Sequence, residues 1–167
     1  APKNSFNGRF DRFYVSNRLL EGDNQSACQR VEEVFAKGTD DPFWLKHLSL
    51  CRIFSGDLDS ARLATSLIRE LDAEDEAFFN LSNSLIDKED IAFESLTDPK
   101  PLHLAMSRAA KVSLPEDIVS NAPALILKAI AQSPNASMDV RIQAAEKAES
   151  LGLVDSDSLR QLYSGIL

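Results

Sequence analysis

Gly22-Asp23-Asn24-Gln25-Ser26-Ala27 returns thirty-four residues later as Gly56-Asp57-Leu58-Asp59-Ser60-Ala61. Glycine supplies the left-handed residue that ends one helix, and Asp accepts backbone N–H groups at the start of the next. Ala at the fifth following position lets two helices approach closely. The same offset pairs Asp41 with Asp75, Trp44-Leu45 with Phe78-Phe79, and Val31 and Val34 with Thr65 and Ile68. A 34-residue period holding two helix starts is the signature of stacked helical hairpins, in which each unit buries its apolar face against its neighbours.

Punctuation and apolar spacing predict helices near 9–21, 24–37, 42–55, 58–71 and 75–87. Asp41 caps the third, and Pro42 stands at its first position, where the missing N–H costs nothing. In the fourth, Leu58, Ala61, Ala64, Ile68 and Leu71 form one stripe, with Asp59, Arg62, Thr65, Arg69 and Glu70 on the solvated side. Beyond Asp87 the register fails: Gly56 maps to Asp90 and Ala61 to Ser95. The rest still reads as helical, with a break at Asp98-Pro99-Lys100-Pro101 and helices over 102–112, 122–132 and 137–151. A short turn opens at Pro115-Glu116-Asp117, and a last helix runs from 155 or 156 to 163. The expectation is an all-α, right-handed stack of antiparallel helical hairpins continued by an irregular helical bundle. Residues 1–8 are extended or disordered, 9–87 form two hairpin units, 88–101 link, and 102–167 pack on the same stack.

Of the 167 residues, 44% are apolar, enough for a real core, and the net charge is −8 with no long like-charge block. That balance argues against nucleic acid or an anionic membrane surface as partner. The longest apolar run, Ala124 to Leu127, is far too short to span a bilayer. Ala1-Pro2-Lys3-Asn4-Ser5 has no basic and apolar leader pattern, and the apolar Ile166-Leu167 at the other end suggests a piece of a longer polypeptide.

Cys28 lies nine residues before Lys37 and Cys51 nine after Pro42, so across the hairpin turn both stand about 13–14 Å from it. Two readings follow: a disulfide in an oxidising compartment such as a periplasm, or two reduced cysteines packed as small hydrophobes in a cytoplasm. His47 shares a helix face with Cys51 and could join both cysteines at zinc, but a fourth ligand is missing and no metal is expected. His103, after Pro101-Leu102, reads as a capping or surface histidine. Carboxylates gather at helix starts and turns, where Asp41, Asp57, Asp75 and Asp155 complement the helix dipole. No phosphate-binding glycine loop, zinc-protease pair or calcium loop occurs, so neither catalytic residues nor a cofactor is expected. The glycosylation tripeptides beginning at Asn24, Asn80 and Asn135 read as accidental in a serine-rich helical chain.

Leu45, Leu48, Gly56 and Ala61, with Tyr14, Gly22 and Ala27 one period earlier, resemble the tetratricopeptide family over roughly residues 9–87. Phe43-Trp44, Gly56-Asp57 and Ala61, followed by Pro101-Leu102-His103-Leu104, are also similar to helical-repeat proteins of bacterial envelopes. The second likeness implies a periplasmic location and scaffold work. The first implies that the opening helix of each hairpin lines a groove, here with Arg9, Arg12, Ser16, Phe43, Lys46, Leu50, Asn80 and Ser84. Arg12, Lys46 and Asn80 recur at one repeat position, a ladder suited to an extended peptide or a carboxylate end. The competing reading is a solvated face whose cations pair with nearby Asp and Glu. Trp44 reads as core. The functional expectation is a non-catalytic protein-interaction module or scaffold, with a protein or peptide partner. The alternatives are an accessory domain of an enzyme whose catalytic residues lie elsewhere, a cytoplasmic adaptor, or a homo-oligomer formed through C-terminal residues such as Leu159, Leu162 and Ile166.

Overall fold

The computed structural model describes residues 5–71 and 74–152, together with 157, 160 and 164. All regular structure among the described residues is helical. The helices are α1 (Ser5–Leu20), α2 (Asn24–Ala36), α3 (Pro42–Ser55), α4 (Leu58–Glu70), α5 (Glu76–Asp87), α6 (Pro101–Ala110), α7 (Ala124–Ala131) and α8 (Met138–Ser150), with a 3₁₀ turn at Glu116–Val119. The chain divides into two compact units, 1–90 and 91–167.

In the first unit the 34-residue period extends to individual hydrogen bonds. Gly22 and Gly56 take φ of 78° and 80°. Behind them Asp23 N–H donates to Arg18 O at 2.8 Å and Asp57 N–H to Arg52 O at 2.9 Å, closing both helices alike. Each of these aspartates then accepts from the serine three residues on, at 3.1 Å in both cases. Those bonds, first with the serine side chain and then with its backbone, hold both carboxyls below the ordinary aspartate range. Ala27 and Ala61 are fully buried, as the close helix approach requires.

The core is continuous across the repeats but changes in chemistry. Val15 and Val31 in the first repeat become Ser49 and Thr65 in the second. The hydroxyls satisfy one another: Thr65 Oγ1 donates to Ala61 O at 2.9 Å, and Ser49 Oγ lies 3.2 Å from Thr65 Oγ1. A buried hydroxyl left alone would cost about 1–3 kcal/mol. Trp44 is buried, as its reading as core predicted. One boundary is corrected: α1 begins at Ser5, so residues 5–8 belong to a helix rather than an extended leader. Gly8 is the one helix-weakening residue there, and a single interior glycine costs only about 1 kcal/mol, which a packed helix absorbs.

Cys28 on α2 and Cys51 on α3 form a disulfide with Cα atoms 5.5 Å apart, joining the first hairpin to the second. Their repeat equivalents are Arg62 and Leu85. There Arg62 Nη1 instead pairs with Asp87 Oδ1 at 2.5 Å, linking α4 to α5 with both side chains well exposed. A disulfide closing a loop of this length contributes about 3 kcal/mol, an exposed ion pair at most about 1.

In the second unit, Pro101 opens α6, and His103 Nδ1 accepts the Lys100 N–H at 3.1 Å. His103 therefore caps, as anticipated, but is buried rather than on the surface. Ile126, Leu127 and Ile130 of α7 and the small Val140, Ala144, Ala145 and Ala148 of α8 are buried where the two helices pack. Lys147 Nζ donates to Val119 O at 2.8 Å, tying α8 to the 3₁₀ turn. The irregular stretch before α6 is fastened by Asp117, which accepts from Ser95 Oγ and, at 3.0 Å, from the Leu96 N–H. The helix expected between 155 or 156 and 163 lies outside the described residues, as do Leu159, Leu162 and Ile166.

Two outcomes are expected. Reduction, or Cys51→Ser, lowers the stability of the first unit by about 3 kcal/mol, whereas Arg62→Ala lowers it by less than about 1. Urea unfolding followed by the fluorescence of Trp44, the only tryptophan, reads both. The second outcome concerns pH. The Ser95 hydroxyl, followed by the Leu96 N–H, holds the Asp117 carboxyl below its ordinary value. A depressed carboxyl stabilises the fold above its unfolded value of about 4, and that stabilisation is lost as pH falls through the folded value. Amide-exchange protection at Leu96, corrected for intrinsic rates, therefore declines from about pH 4 downward, and Asp117→Asn removes this dependence.

Candidate partner-binding site

Gly38, at φ 83°, closes the α2–α3 turn. Thr39 Oγ1 accepts the Asp41 N–H at 3.2 Å, and Asp41 Oδ1 accepts the Phe43 N–H at 2.9 Å, which starts α3. The other carboxylate oxygen of Asp41 accepts from Arg12 of α1. The arrangement repeats one period on. Asp75 Oδ1 accepts the Phe78 N–H at 3.1 Å and caps α5, while Oδ2 holds Lys46 Nζ at 2.8 Å.

Two rungs of the expected basic ladder are therefore ion-paired to the caps of the following helices. The Lys46–Asp75 pair is the more secluded, with side chains 17% and 15% exposed against 45% and 37% for Arg12–Asp41. Asn80, the third rung, lies exposed on α5. Phe43 is half-buried, its ring 4.1 Å from that of His47 and covered at 4.7 Å by the Arg12 guanidinium. Leu50 requires correction: at 1% exposure it is core and lines no open groove. Helix α3 packs against α2, α4 and α5, and a helix with three neighbours buries most of its circumference.

Arg9 and Arg12 do come together, at a cleft of about 500 Å³ between α1, the end of α2 and the start of α3. Trp44 and Val34 supply its apolar wall, and Lys37 a third cation. Its two carboxylates are engaged: Asp41 by Arg12, and Asp11 by Arg30 Nη1 at 2.8 Å. That hydrogen bond holds the Arg30 guanidinium above its ordinary value. Arg30 also stacks 4.4 Å above Tyr14, with Arg18 5.0 Å from the same ring, so this side of α1 is firmly held. Arg9 and Lys37 make no ion pair among the described residues and give the cleft surplus positive charge on an acidic protein. Phe10 and Phe13 are 58% and 59% exposed on α1 and do not line the cleft.

Lys37 was not singled out from sequence. As the residue closing α2 it reads as an ordinary complement to the helix dipole, and its approach to α1 depends on the packing of the hairpin. The trio His47, Cys28 and Cys51 offers no thiolate for zinc, because the two sulfurs are bonded to each other. His47 Nδ1 lies 2.7 Å from Phe43 O, a contact within its own helix.

Comparison with known protein families, with curated proteins and with solved structures finds no match.

Proposed function

We propose that this chain is a non-catalytic protein-interaction module, a tetratricopeptide-like hairpin stack belonging to a larger periplasmic scaffold. The observation that carries the reading is the cleft at α1, with Arg9 and Lys37, which make no ion pair among the described residues, beside an apolar wall of Trp44 and Val34. Such a surface suits an extended segment of another protein. The apolar wall contributes contact area, while cations set orientation and speed encounter. Both histidines in the chain face backbone groups of their own helix starts, at Phe43 O and Lys100 N, which supports structural roles for them. The Cys28–Cys51 disulfide is compatible with an oxidising compartment and supports the periplasmic half of the reading.

Selection of random twelve-residue peptides against the oxidised chain tests the interaction. Enriched peptides are expected to lose at least about tenfold in affinity for Arg9→Glu/Lys37→Glu, about 1.4 kcal/mol. The unfolding transition followed by Trp44 stays unchanged, since both side chains are exposed. No enrichment, or equal binding to the variant, overturns the assignment. Alkylation of the denatured, unreduced protein from its own compartment is expected to add no label to Cys28 or Cys51; labelling of both would move the module to a cytoplasm.

A further inference from the structure

Helix α4 has two apolar sides. Ala61, Ala64, Thr65 and Ile68 face the core. Leu63, Leu67 and Leu71 follow at four-residue spacing along one outer flank, 63%, 41% and 48% exposed. At about 100° per residue these three leucines fall within one quarter of the circumference. The hairpin itself does not demand them. Their equivalents one period earlier are Gln29, Glu33 and Lys37, all exposed and all polar, in a hairpin with the same caps and the same buried alanine.

The charges around the leucines are one-sided. Asp59 and Glu70, both exposed, border the stripe on its solvent side. The arginines of α4 lie on the far flank and are engaged there, Arg62 with Asp87 at 2.5 Å and Arg69 4.4 Å over the Phe79 ring. The seam is thus apolar with an acidic border, on a chain of net charge −8.

We propose that this flank of α4 docks a basic amphipathic helix of a partner protein. Apolar side chains at three- and four-residue spacing on that helix interleave with Leu63, Leu67 and Leu71, and its Lys or Arg residues meet Asp59 and Glu70. A second copy of the chain suits the seam poorly, because it would set one acidic border and one −8 net charge against another. The seam is separate from the cleft at α1 and does not depend on the function proposed for it.

The test uses an eighteen-residue amphipathic peptide of leucine and lysine, and a control with serine in place of every leucine at the same charge. The leucine peptide is expected to bind the full oxidised chain and to shift the amide resonances of residues 63, 67 and 71. The serine control binds at least about tenfold more weakly. Leu63→Gln/Leu67→Gln, which copies the polar side of α2, weakens the leucine peptide by a similar factor while urea unfolding followed at Trp44 is unchanged. Equal affinity for both peptides would mean attraction by charge alone and overturn the proposal, as would undiminished binding to the glutamine variant or no binding. Self-association of the chain alone, abolished by the same variant, would assign the flank to a second copy and overturn it equally.

Discussion

Asp41 and Asp75 each hold two things at once. One carboxylate oxygen takes a free N–H in the first turn of a helix, and the other takes a cation from the opening helix of the repeat before. A cap contributes about 1 kcal/mol and an exposed ion pair less, so neither bond is large alone. Sharing one carboxylate couples where a helix begins to where its predecessor lies. Arg12 can reach Asp41 only if α1 lies beside the start of α3, and Lys46 imposes the same condition on α5. The cleft at α1 follows from this, because with Arg12 committed to Asp41, the cations left over are Arg9 and Lys37.

The two repeats are held to different standards. The first interface carries the disulfide, while the second carries an exposed ion pair at one of the equivalent positions. The first repeat also uses the Arg30–Asp11 pair where the second has Ala64 and Leu45. Polar links therefore lie toward the surface of the first repeat and a hydroxyl pair lies inside the second. Each solution is locally complete: Ser49 and Thr65 satisfy one another, and Arg30 answers Asp11 while stacking on Tyr14. The covalent tie sits near the start of α2 and the end of α3, far from the turn that borders the cleft, so it fastens one end of the pair while Asp41 organises the other.

Helix positions and caps were legible in the sequence because they depend on local chemistry. Gly-Asp, Asp-Pro and the serine three residues on act within one turn, and the predicted starts at 24, 42 and 58 coincide with the observed ones. The level placement of Cys28 and Cys51 was legible for a related reason, since helix rise is constant. Leu50 was misread because its neighbours in sequence say nothing of the three helices that enclose α3. Lys37 was missed because its significance arises only when α2 ends against α1. His103 shows the intermediate case: its capping role follows from Pro101 two residues before it, and its burial does not.

The internal repeat also separates what the fold requires from what it leaves open. Positions identical across the period, Gly22 and Gly56, Asp23 and Asp57, Ala27 and Ala61, carry caps and close packing, and any hairpin of this kind needs them. Exposed positions that change character have no such duty. Lys37 in the first repeat stands at the cleft, and its counterpart Leu71 in the second closes the leucine flank of α4. A cation and a leucine at one structural position exclude a common role in stabilising the hairpin. The same backbone position thus serves a charged recess in one repeat and an apolar seam in the next, and surface chemistry has diverged where the hydrogen bonds beneath it have not.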